Sequence, residues 1–133
     1  MTITLGCVLA AAMLPILSAW IAKWGQLGKR RSEGGYDNHD PRAWLARQQG
    51  WRQRANAAQA NGFEALPFFI GAVAIAIATG APAGRLDLLA SAYIVLRLVY
   101  IACYVGDRAT WRSLAWALAF GVNVAILFSG RAG

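Results

Sequence analysis

Arg54-Ala-Asn-Ala-Ala-Gln59-Ala-Asn61-Gly-Phe-Glu64-Ala-Leu-Pro67 joins a basic, polar segment to an apolar run that completes a membrane crossing. Read as a helix, Arg54, Ala57, Asn61, Glu64 and Phe68 recur at i, i+3, i+4 steps and share one face. A carboxylate and a carboxamide therefore enter the membrane on one stripe, with a guanidinium before them. Ionisable groups at that depth are costly unless they face a bundle interior, an interface or a water-filled cavity. One such residue reads as polar glue between helices. Three on one stripe favour a ligand site.

The 133 residues leave room for one domain, 1–133. With 58% of them hydrophobic and 14% charged, a soluble fold of this size could not cover its apolar surface, and the chain reads as a membrane protein. The net charge of +7 invites a nucleic-acid partner. However, eight of the thirteen Lys and Arg lie between Lys23 and Arg54, in and beside one loop. The positive-inside rule clusters charge in that way with no nucleic acid involved, so none is expected. Cys7 and Cys103 fall in apolar stretches without C-x-x-C spacing and read as small packing residues. The lone His39 has no Cys or His company in its loop, so no metal site is expected.

Four crossings follow in order. Residues 1–22 carry no charged side chain, and Lys23, Lys29, Arg30 and Arg31 come after them rather than before. That order reads as a retained first helix, not a cleaved leader, with Pro15 as a tolerated kink. Residues 28–50 form the one substantial polar segment. Gly34-Gly35 breaks it, and Asp40-Pro41 predicts an N-cap with proline at the first helical position. A helix is expected from there through Arg47, able to continue past Gly50 into the second span, with Trp44 and Trp51 as interfacial aromatics. Residues 65–83 complete the second crossing, 88–106 make the third, and 113–130 make the fourth. The eight basic residues of the first loop, with Arg108 and Arg112 of the second, oppose Arg85 and Arg131. Both basic loops are thus expected in the cytoplasm and both termini outside it. Short connections predict an all-α, up-down-up-down four-helix bundle.

The third span holds a second polar stripe, Arg97-Leu-Val-Tyr100-Ile-Ala-Cys-Tyr104, at i, i+3 and i+7. An arginine at mid-span flanked by two phenols cannot be left facing lipid. Arg112 and Ser113 open the fourth helix at a depth similar to that of Tyr104, Asn61 and Glu64. Arg, Asn, Glu and Tyr side chains therefore gather near one membrane surface.

With both stripes in place, the chain resembles the membrane-associated proteins in eicosanoid and glutathione metabolism, the MAPEG family, in a bacterial-type form. The likeness covers essentially the whole chain. Gln59-Ala-Asn61-Gly-Phe-Glu64-Ala-Leu-Pro67 is similar to the family's Q-x-N-x-x-E-x-x-P element, and Arg97-x-x-Tyr100-x-x-x-Tyr104 to its R-x-x-Y-x-x-x-Y element. The resemblance implies a homotrimer with glutathione bound between neighbouring subunits, open to the cytoplasmic side. It also implies that Glu64 takes the tripeptide's amine and Asn61 its backbone polar atoms. Gln59, Arg97, Tyr100 and Tyr104 would line the site, with Arg112 and Ser113 beside the thiol. Two carboxylates and an amine call for arginines and one carboxylate partner, and a nearby guanidinium favours a thiolate. The chain departs from the pattern at Ala57, where leukotriene- and prostaglandin-forming members carry an arginine. Arg54, one turn earlier on the same stripe, is the available substitute.

The leading expectation is an integral membrane enzyme, in a bacterial inner membrane, that activates glutathione against a lipophilic electrophile or peroxide drawn from the bilayer. The alternative is a family member that binds another small anion or acts structurally, which Ala57 favours. A small four-helix exporter would need an acidic residue in its first helix, and none is present.

Overall fold

The computed structural model describes residues 1–130, and Arg131, counted above on the far side, lies outside the described residues. Four helices are long and apolar enough to cross a membrane: α1 (Thr2–Lys23), α3 (Trp51–Ala78), α4 (Ala83–Val105) and α5 (Ala109–Phe128). Between the first two lie a 3₁₀ turn over Arg31–Glu33 and the short helix α2 (Pro41–Ala46). No strand occurs among the described residues. α1 and α5 each pack against both α3 and α4, which also touch one another. The architecture is the four-span, all-helical bundle that the apolar runs predict.

Helix boundaries differ from the uncharged runs in instructive ways. α4 starts at Ala83 and α5 at Ala109, about a turn before the uncharged stretches begin. Helix propagation needs backbone geometry rather than apolarity, so Arg85, Asp87 and Arg112 sit within the opening turns. Asp40 caps α2 as expected, accepting from the Ala43 N–H at 3.3 Å, with Pro41 behind it. Continuation into the second span does not occur. Gly50 stands at φ 63°, ψ −139°, a conformation costly for any residue with a Cβ, and α3 starts afresh at Trp51.

Trp44 also departs from expectation. It is not an interfacial aromatic but 3% exposed, packed with Ala22, Leu45 and Ala55. Its Nε1 donates to the Gly34 carbonyl at 3.3 Å, and the Tyr36 ring meets it edge-on at 5.2 Å. The loop thus folds back as a plug over the basic end of the bundle. Trp51, by contrast, is exposed.

Inside the bundle the close contacts are made by small residues. Ala11, Ala58, Ala72, Ala76, Ala90, Ala115 and Ala119 are all buried, as expected where lipid gives helices no hydrophobic reason to associate and close backbone packing must do so. A tight notch joins α1 to α3, where Pro15 faces Gly62. A Cβ at Gly62 would lie 2.9 Å from Pro15 Cγ, a rigid ring atom. Gly62→Ala is therefore expected to cost about 1–3 kcal/mol through overpacking. The thermal midpoint of the detergent-solubilised protein should fall; an unchanged midpoint would mean that α1 can retreat freely.

Helix ends are closed by side chains from other helices. Arg52 Nη1 donates to the Ala22 carbonyl at 2.9 Å, at the end of α1. Arg54 reaches the Val105 carbonyl with Nε and Nη2 at 3.1 and 3.0 Å, at the end of α4. Arg85 Nη1 donates to Ser129 at 3.0 Å, just past α5. At the same far end, Asp87 accepts from the Thr4 N–H at 2.9 Å and from its hydroxyl, joining α4 to the start of α1. Terminal backbone groups without an intrahelical partner are thereby satisfied.

Candidate ligand site

α4 turns one stripe toward α3 and α5: Tyr93, Arg97, Tyr100 and Tyr104, at i, i+4, i+7 and i+11. Arg97 stands eight residues before the helix end, so its Cα is ~12 Å from that terminus. It is 4% exposed. Its Nη2 donates to Asn61 Oδ1 at 2.8 Å, and its guanidinium carbon lies 4.3 Å from the Tyr100 ring centre. A buried cation needs such partners, since both desolvation and lipid exposure penalise it.

The polar seam continues toward the basic end. Tyr100 and Tyr104 meet edge-to-face at 5.6 Å, and the Arg112 guanidinium lies 4.5 Å from the Tyr104 ring centre. Tyr100 lies in the electrostatic field of Arg97, Arg112 and Glu64 together. Two guanidinium groups, a carboxamide, two phenols and one carboxylate therefore sit along one groove. Guanidinium groups of this kind suit anionic groups, and a carboxylate suits an ammonium group.

Between α3, α4 and α5 this seam opens into a cavity of about 280 Å³. Asn61, Glu64, Ala65 and Phe68 line it from α3, Tyr93 and Arg97 from α4, and Trp116, Ala119, Phe120 and Asn123 from α5. Glu64 and Arg97 lie nearer the basic end than Phe68 and Tyr93, because α3 and α4 contribute them in that order.

Six of the residues expected from the sequence come together: Asn61, Glu64, Arg97, Tyr100, Tyr104 and Arg112. Three do not. Arg54 shares their stripe but directs two of its donors to the Val105 carbonyl. Gln59 faces a different groove, with Arg42, Leu45, Asn56 and Phe63, and its Oε1 is buried without a hydrogen-bond partner. Ser113 is exposed. Conversely, Tyr93, Trp116, Phe120 and Asn123 line the cavity without having been singled out. Tyr93 was available as the i−4 extension of the Arg97 stripe, and Asn123 as the one carboxamide inside the fourth span. Among the described residues, no three His, Cys, Asp or Glu side chains gather as a metal site.

Fold and seam together define a multi-pass membrane bundle with a buried arginine–tyrosine site facing an aromatic cavity. The chain belongs to the MAPEG family, whose model matches residues 3–131. No curated protein and no solved structure matches it.

Proposed function

We propose that the chain is a glutathione-dependent membrane enzyme that sets the thiol of glutathione against a lipophilic electrophile or peroxide from the bilayer. The observation that carries this reading is the buried Arg97, tied to Asn61 and Tyr100 at the mouth of a cavity that also holds Glu64. Glutathione supplies the nucleophilic thiol, and the residues present suit it. Arg97 binds a carboxylate, Glu64 receives the ammonium group, and Asn61, already oriented by Arg97, offers its amide to the peptide backbone. Arg112, held over Tyr104, supplies positive charge where a thiolate needs it. Tyr100 and Tyr104 set the spacing between the two guanidinium groups and exclude water with their rings.

Calorimetric titration of the solubilised protein with glutathione should show saturable binding, and a flat trace sinks this reading. Glu64→Gln keeps the shape and removes the charge. Because Glu64 is exposed in the single chain, the smaller end of the range applies, about tenfold weaker binding.

The active form is proposed to be a homotrimer. Glu64 lies open on the groove, and the unpartnered Gln59 Oε1 faces away from it, so one chain leaves polar groups of α3 uncompleted on two sides. Native mass measurement in mild detergent should give three copies. A monomer that binds glutathione with full affinity would refute that assembly.

One observation favours a second reading, a non-catalytic member holding another small anion. Ala57 removes an arginine that catalytic relatives in the resemblance carry, and Arg54 is engaged at Val105. Titration with glutathione and with a simple dicarboxylate separates the two.

A further inference from the structure

Asn123 is a cavity-lining polar side chain that glutathione binding leaves unused. It is 3% exposed, in the middle of an apolar helix, and lines the deep end of the cavity. Its Oδ1 is buried and has no hydrogen-bond partner. Tyr93 lines the same cavity, and its ring is stacked on Phe69 at 4.2 Å with 9° between planes. Tyr93 is therefore held in place by its ring. Folded proteins leave few buried polar atoms unmet, and a carbonyl oxygen can be met only by a donor.

The walls beside this atom are flat and apolar. Trp116 and Phe120 stack at 5.5 Å with 13° between planes, and Phe68 lies 5.5 Å from Phe120. Trp116 stands seven residues before Asn123, so the cavity runs ~10 Å along α5. At about 280 Å³ it sits near the low end of small-molecule sites, roughly 300–1,000 Å³. A lipid acyl chain would fill such a volume but leave the Asn123 oxygen unmet. A lone water would meet that oxygen but leave the faces of Phe68, Trp116 and Phe120 uncovered.

We infer that this cavity seats the acceptor of the reaction, and that it selects a small, flat, apolar molecule carrying a hydroxyl at its leading end. The hydroxyl donates to Asn123 Oδ1, the ring system lies along Phe68, Trp116 and Phe120, and the trailing end faces Arg97 and Glu64. As an acceptor site it rests on the glutathione reading above. Its occupancy, however, can be measured with no glutathione present.

The probes are 2-naphthol and its methyl ether, which keeps the ring system and an acceptor oxygen but loses the donor. Binding to the full-length solubilised protein is measured by equilibrium dialysis and corrected against empty micelles. Wild-type protein should prefer the naphthol about tenfold, the worth of one buried hydrogen bond. Asn123→Leu should abolish that preference and leave ether affinity within about twofold, since the walls are untouched. Equal binding of both probes by the wild-type chain overturns the proposal without any variant having to fold. A preference that survives in Asn123→Leu overturns it as well. Glutathione titration on the same preparation separates the two claims. Naphthol preference without glutathione binding upholds the hydroxyl site and defeats the enzyme reading, whereas glutathione binding without the preference does the reverse.

Discussion

Arg97→Leu is expected to abolish glutathione binding while leaving the helical bundle assembled. The guanidinium is 4% exposed and bonded to Asn61, so its charge acts in a medium that screens it poorly. Losing a charge-assisted hydrogen bond to a carboxylate costs on the order of 3 kcal/mol at this depth, a hundredfold or more in affinity. Stability should move less. Leucine leaves Asn61 Oδ1 without its donor, a cost of about 1–3 kcal/mol, but relieves the desolvation of a buried cation, which offsets it. Arg97→Lys is the informative intermediate. It keeps the charge but loses the planar fork that allows Asn61 and a carboxylate to be held at once. Titration should therefore rank wild type above Lys and Lys above Leu, with similar thermal midpoints. Wild-type affinity in Arg97→Leu would remove Arg97 from the site.

Arg112→Ala should fail differently. Arg112 lies over Tyr104, at the opposite end of the seam from the cavity floor, and belongs to the first turn of α5. In the proposed role it stabilises negative charge on sulfur rather than anchoring the tripeptide. Binding should fall only a few-fold, while turnover of a generic electrophile drops about a hundredfold, on the order of 2.7 kcal/mol in the barrier. The ultraviolet thiolate absorbance of the bound tripeptide at neutral pH should fall in parallel. Turnover lost together with affinity, at unchanged thiolate absorbance, would instead make Arg112 a binding residue.

Periodicity within a single helix made most of this site legible in the sequence. Asn61 and Glu64 share a face because they lie three residues apart, and Arg97, Tyr100 and Tyr104 do so at three and seven. Neither relation depends on how the helices meet. Arg54 obeys the same periodicity, yet its destination depends on where α4 ends relative to the start of α3, which no local pattern encodes. The same limit applies to Trp44, whose burial follows from the loop folding back on the bundle. Asn123 is hidden in the sequence for a different reason. A lone amide in an apolar span forms no stripe, and only packing shows whether it faces lipid, a neighbour or a cavity.

The arginines that close the helix ends carry a consequence for how the protein can be re-engineered. Arg52 and Arg54 belong to the excess of positive charge by which a nascent chain is biased in its insertion. Once inserted, the same two guanidinium groups hold the final carbonyls of α1 and α4. Neutralising them to invert the threading would therefore also unfasten two helices, and lysine would restore the charge without the two-pronged grip at Val105. Charge pattern and fastening are here one set of atoms, so neither can be rewritten alone.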